Sequence, residues 1–255
     1  GCAANGGLNT KGGTTHCPAS YSKLINNTTD NSGISHLYAG ITALEMTRAN
    51  AKAIGLLGSS AAEDAAITFS SGFNFDFDSS DGIGAALYDF VGIAIHEIGH
   101  ALGFTSGVDV LDTNGRNRFS QKQFDPFATV LDFTRCTDAS EAAGADMDWT
   151  IGGVTRDFAI NGSCSGAAKV SNAWSTGRIL GDGYQASHWK DDLGRGIMDP
   201  TFASGEFGQI SALDILAFDV IGWDLQQSSS IPEPSGLLLL ATALLGAAAT
   251  RRRRA

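Results

Sequence analysis

Residues 96–104 read HEIGHALGF. On a helix, His96 and His100 are one turn apart, so both imidazoles leave the same face and can grip one metal ion. Glu97 lies beside that face, close enough to take a proton from a water activated by the metal without being a ligand itself. Gly103 can end the helix and turn the chain beneath the metal. A catalytic zinc needs a third protein ligand and an open position. The compact place for that ligand, three residues past Gly103, is Ser106. The remaining histidines are His16, His36 and His188.

Working outward, Tyr88 to Gly103 reads as a helix so apolar around its circumference that it must be buried, which leaves His96, Glu97 and His100 in need of a specific partner. Before it, Ile67, Phe69, Phe73, Phe75 and Phe77 alternate with polar residues. This predicts a half-buried strand with an irregularity at Ser71-Gly72, ended by DSSDG at 78–82. Leu37, Ile41, Leu44 and Ile54 predict an amphipathic helix from Leu37 to about Leu56. Residues 1–35, rich in Gly, Asn, Thr and Ser, read as irregular. Residues 105–187 are glycine-rich with strand-like runs such as ATVLDF at 128–133. Ile210 to Trp223 predicts a further helix, with Ser211 as N-cap and Gly222 near its end.

The chain of 255 residues is long enough for one well-buried domain with appendages. A formal net charge of -10 excludes a general electrostatic attraction to nucleic acid, and the charge is more negative still without the terminal arginines. Four cysteines without a CxxC pair argue against a cysteine zinc site and are compatible with two disulfides in an oxidising compartment. Three pairings are open. The sequential one, Cys2 with Cys17 and Cys136 with Cys164, closes the shortest loops. Asp76, Asp78 and Asp81 before Gly82 suggest a calcium loop, but the spacing and the missing closing glutamate favour a solvated acidic turn.

His16 and His36 fall in or at the edge of the leading segment, where an exposed histidine is the plainer reading. His188 stands in QASHWKDDLGRGIMDP. HEIGHALGF, a long insertion, His188-Trp189-Lys190 and then GIMDP at 196–200 together resemble the leishmanolysin-type metzincins, a family of zinc metallopeptidases. The resemblance spans roughly residues 37–224 but its specific part is two short motifs. It implies an α+β, zincin-like catalytic domain with an active-site helix and a mixed sheet. It also implies zinc ligands His96, His100 and His188, Glu97 as general base, and Met198 as the methionine of a turn under the metal. The insertion between His100 and His188 is 87 residues. The strand at 67–77 resembles the zincin edge strand that pairs with substrate backbone. One departure is Pro200, where some metzincins carry an assisting tyrosine, which leaves that role empty or to another residue such as Tyr184.

The tail changes character. A polar linker at 229–235 contains Pro232, Glu233 and Pro234; residues 236–250 are an uncharged apolar run; Arg251 to Arg254 follow. Fifteen apolar residues are short for a bilayer span, and the arginines would stay cytoplasmic. The tripartite order resembles a PEP-CTERM sorting signal. That resemblance implies export in a Gram-negative bacterium to the envelope or beyond, transient anchoring in the inner membrane by a C-terminal hydrophobic helix, and processing by an exosortase.

These readings predict a metallopeptidase domain over 1–228 (core 37–224), the linker 229–235, a hydrophobic sorting helix 236–250 and a basic tail 251–255. The expected activity is hydrolysis of protein or peptide substrates with one catalytic Zn²⁺. Two alternatives stand beside it: an exported surface or matrix protein with a structural or idle zinc site, and a zinc hydrolase of non-peptide amides.

Overall fold

The computed structural model describes strands at 2–3, 7–8, 25–29 and 35–39, and residues 44–59, 61–115, 127–142, 148, 155–160, 164 and 169–224. The chain divides into two units, Gly1–Asp224 and Leu225–Ala255. The second, with the PEP motif, the apolar run and the arginines, lies outside the described residues. Among the described residues no helix is long and apolar enough to cross a membrane.

The first unit is a mixed α/β arrangement with little sheet. Its described strands form four separate pairs instead of one mixed sheet. β1 (Cys2–Ala3) pairs with β2 (Gly7–Leu8), and β3 (Ile25–Thr29) with β4 (Ser35–Ala39), both antiparallel. β5 (Phe75–Asp76) runs parallel to β6 (Tyr88–Asp89), and β7 (Arg135–Cys136) antiparallel to β8 (Asp157–Phe158). The helices are α1 (Arg48–Ala53), α2 (Phe90–Leu102), α3 (Val108–Gly115), α4 (Asp138–Ala142) and α5 (Ala212–Val220).

Several expectations need correction. The leading segment is not wholly irregular, since it holds β1, β2 and β3. The helix expected from Leu37 to Leu56 is only α1: Leu37 lies in β4, and Thr47, in extended conformation, accepts the Asn50 N–H and starts the helix there. The strand expected over 67–77 shrinks to Phe75–Asp76. Its predicted irregularity at Ser71-Gly72 is a turn that breaks the run. Three of the phenylalanines gather instead on one ring, with Phe69, Phe75 and Phe77 centred 5.0, 5.4 and 4.8 Å from Phe90. ATVLDF is no strand either: Leu131–Thr134 is a 3-10 turn, closed by the Asp132 carboxylate accepting Thr129 N–H at 2.8 Å.

The helix of the HExxH motif is half-buried, not enclosed. Gly92, His96 and Gly99 form its buried stripe, while Val91 and Ile98 are 42% and 47% exposed. It starts two residues later than expected because Tyr88–Asp89 pairs with β5. Asp89 is its N-cap, accepting Gly92 N–H at 2.9 Å, and also takes Gly208 N–H at 3.0 Å. Gly103 ends it at φ +118°, a left-handed conformation that side chains with a Cβ resist. α5 begins as expected at Ser211, whose hydroxyl accepts Leu213 and Asp214 N–H while Asp214 accepts Ser211 N–H, a reciprocal capping box.

The core gathers on aromatic rings from the irregular segments. Trp174 and Trp189 are centred 4.4 Å apart and joined by an isolated antiparallel bridge. Phe104 and Phe158 stand against Trp189 at 5.1 and 5.6 Å, and α5 closes the layer with Ala217 and Val220. Beyond the core the expected Cys136–Cys164 disulfide is present, with a Cα–Cα distance of 5.7 Å and 28 residues of separation. The Cys2–Cys17 pairing lies outside the described residues. Closing a loop of this size removes unfolded-state entropy equivalent to about 3–4 kcal/mol. The double variant Cys136→Ser/Cys164→Ser is therefore expected to lose about that much stability in urea unfolding, and an unchanged midpoint would refute the assignment.

Candidate metal centre

The helical repeat alone brings His96 and His100 together; the third imidazole arrives through the tertiary fold. The Nε2 atoms of His96 and His100 are 3.1 Å apart, those of His100 and His188 3.1 Å, and those of His188 and His96 3.3 Å. His188 lies 88 and 92 residues from His100 and His96 in sequence, and His96 and His188 are each 7% exposed. His16 is outside the described residues; His36 is in β4. Position 106 carries no ligand.

Each ring is oriented by a backbone carbonyl. His96 Nδ1 faces Ile197 O at 2.9 Å, His100 Nδ1 faces Phe104 O at 2.8 Å, and His188 Nδ1 faces Gln185 O at 3.2 Å. A carbonyl only accepts, so each Nδ1 must donate, which leaves a lone pair on each Nε2. Three lone pairs aimed at one small space repel unless a cation lies between them. Nitrogens bound tetrahedrally at about 2.0–2.1 Å from one zinc are about 3.3 Å apart, so the donor set fits that ion in chemistry and in size. Burial, followed by the neighbouring His100 and His96, pushes His188 down to about 3, and burial likewise lowers His100. At neutral pH both rings are therefore neutral, the form that binds metal.

Glu97 is exposed on the same helix, and its charge acts on His100. Met198 is fully buried beneath the helix. A Cβ built on Gly99 would lie 2.5 Å from its Sδ, so the glycine between the two histidines lets the methionine approach the backbone. Phe202 stands edge-on to His96 at 5.8 Å. The Tyr184 hydroxyl is engaged by Asp191.

The residues that hold this arrangement were not singled out from the sequence. Asp214, fully buried, accepts Trp189 Nε1–H at 2.7 Å, Ile197 N–H at 2.8 Å and Met198 N–H at 3.3 Å, tying α5 to the histidine loop and the methionine turn. Asp132 accepts the Ser106 hydroxyl at 2.5 Å and Gly107 N–H at 2.9 Å. Arg135, fully buried, donates to Ala186 O at 3.0 Å and Ser175 O at 2.8 Å. Burial pushes it down to about 10 against the pull of Asp132, so it remains charged at neutral pH. The available signal was a lone acid in an otherwise apolar run, in VLDF and again in ALDIL.

Two other clusters do not form a comparable donor set. In the acidic turn, Asp76 accepts Asp78 and Gly84 N–H, and Asp78 accepts Ser80 N–H, so these carboxylates serve as caps. Asp138, Asp157 and Cys164 lie near one another, but Cys164 is in the disulfide and Lys169 Nζ sits 2.5 and 2.9 Å from the two carboxylates.

Residues 230–254 match the family model of the PEP-CTERM protein-sorting motif. The chain thus carries a C-terminal sorting tail of the kind that marks export in Gram-negative bacteria and that an exosortase recognises. No curated protein and no solved structure matches the chain.

Beside the centre a cleft of about 410 Å³ is lined by Ile197, Asp199, Phe202 and Glu206, among others. Burial, reinforced by Asp191, Glu206 and Asp192 and opposed by Thr201 N–H, pushes Asp199 up to about 6. The folded state holds this proton more tightly than the unfolded chain, so the contribution is present below about pH 4 and is lost as pH rises through 6. Asp199→Asn keeps the acceptor for Thr201 N–H. It is expected to raise Tm at pH 7.5 and to leave it unchanged at pH 4; an equal gain at both values would contradict the assignment.

Proposed function

We propose that the protein is an exported zinc metalloendopeptidase of the metzincin type. The observation that carries the reading is the convergence of three Nε2 lone pairs, each set by a carbonyl on Nδ1, beside the exposed carboxylate of Glu97. His96, His100 and His188 would hold the ion. Zinc held there supplies acidity to a water molecule and polarises the scissile carbonyl. Glu97, as general base, takes a proton from the attacking water while the new C–O bond forms. It then delivers that proton to the amide nitrogen as the C–N bond breaks, so that a carboxylic acid and an amine leave. Met198 packs under the ligands and takes no part in proton transfer. The sorting tail supports an extracytoplasmic site of action.

General base catalysis contributes about 10² to 10⁴ in rate. Glu97→Gln is therefore expected to retain zinc and lose that factor in turnover on casein or quenched peptides, whereas His188→Ala is expected to bind zinc far more weakly through the two remaining imidazoles, and a chelator to abolish cleavage. A zinc-loaded wild type that cleaves no peptide points to an idle site, or to a non-peptide amide if a substrate panel finds one. Undiminished cleavage by Glu97→Gln rules out the role given to that residue.

A further inference from the structure

His188 sits on a segment without helix or extended ladder, yet it presents its Nε2 3.1 and 3.3 Å from those of the two helix-borne rings. What holds this segment comes from the chain that continues out of α2. Asp109, on the first turn of α3, accepts Ala186 N–H at 2.6 Å, Ser187 N–H at 3.1 Å and the Ser187 hydroxyl. Ser187 Oγ in turn accepts the N–H of Ser106 at 3.0 Å. Ser106 thus occupies the compact third-ligand position and is bonded to the immediate neighbour of the actual third histidine. On the other side of the same turn, Arg135 takes Ala186 O and the Ser175 N–H donates to His188 O at 3.1 Å.

We propose that Asp109 is a positioning residue for the third metal ligand, acting through the backbone of Ala186 and Ser187 to set where His188 Nε2 stands relative to His96 and His100. The inference rests on the metal-binding reading above. Asp109 makes no hydrogen bond to His96, His100 or His188, although its charge acts on His100, and a single carboxylate with three donors from two consecutive residues fixes both the position and the rotation of the turn that follows. Metal ligation by a loop residue needs such an external brace because the loop has no ladder of its own.

The test uses the full chain and Zn²⁺ alone. Zinc affinity is measured by competition with a chromophoric chelator for wild type, Asp109→Ala, His188→Ala and the double variant, with thermal unfolding of each zinc-free protein alongside. Removing an outer partner of a metal ligand typically costs 10–100-fold in affinity. Asp109→Ala is expected to weaken zinc binding by roughly that factor in wild type, and by a clearly smaller factor once His188 is gone, because the bracing passes through that ring and only the charge acting on His100 remains. Asp109→Asn, which keeps one acceptor, and Ser187→Ala are expected to lose less; they carry the same comparison if the alanine variant does not fold. Equal losses with and without His188 would mean that Asp109 supports the fold generally, and no loss in either background would mean that it does nothing; both overturn the inference. A wild type that binds no zinc overturns the metal reading itself, and this inference with it.

Discussion

A buried backbone must satisfy its amides, and among the described residues short carboxylates do part of what a sheet would otherwise do. Between α2 and α5 the described ladders are two residues long or single bridges. Asp89, Asp109, Asp112, Asp132 and Asp214 each accept N–H groups from two segments or from consecutive residues, Asp112 taking Ile179 and Leu180 at 2.7 Å each. An unpaired buried N–H costs about as much as a lost hydrogen bond, so these anions define the paths the loops take. All but six of the 27 acidic residues are aspartate, whose short side chain suits such local bonding. Part of the chain's acidity is thus internal architecture.

The cluster of three imidazoles is a product of that architecture. Two of its rings stand on a regular helix and need only its repeat. The third is delivered by a loop whose position depends on Asp109, Arg135 and Asp214, and whose ring orientation depends on the Gln185 carbonyl. The packing of Met198 against Gly99 sets the methionine turn against the helix, and Ile197, one residue earlier, gives its carbonyl to His96. Imidazoles, orienting carbonyls and buried acids form one connected set, so that a change at α3 or α5 reaches the imidazoles without touching them.

The HExxH helix, its glycine stop, the Ser211-capped helix and one disulfide were legible in the sequence because each depends on local signals: a periodicity, a capping residue, a short loop between cysteines. The strand expected at 67–77 and the helix expected from Leu37 were not. In the first, an apolar alternation recorded attraction to one ring, Phe90, instead of a pleat; in the second, Thr47 capped a shorter helix. ATVLDF reads as a strand-like run, whereas its Asp132 accepts Thr129 N–H and closes a turn.

What the residues determined by themselves was the local half of the centre, because a separation of four positions on a helix places two side chains on one face whatever surrounds it. They determined the sorting tail as well, where the order of motif, apolar run and arginines suffices. The resemblance implied His188 as their third partner, but only the tertiary structure shows that its ring meets the other two histidines. A contact across 88 residues depends on how the intervening backbone is held, and the groups that hold it, Asp109, Asp132, Arg135 and Asp214, act through amides and carbonyls that look alike at every position of a sequence.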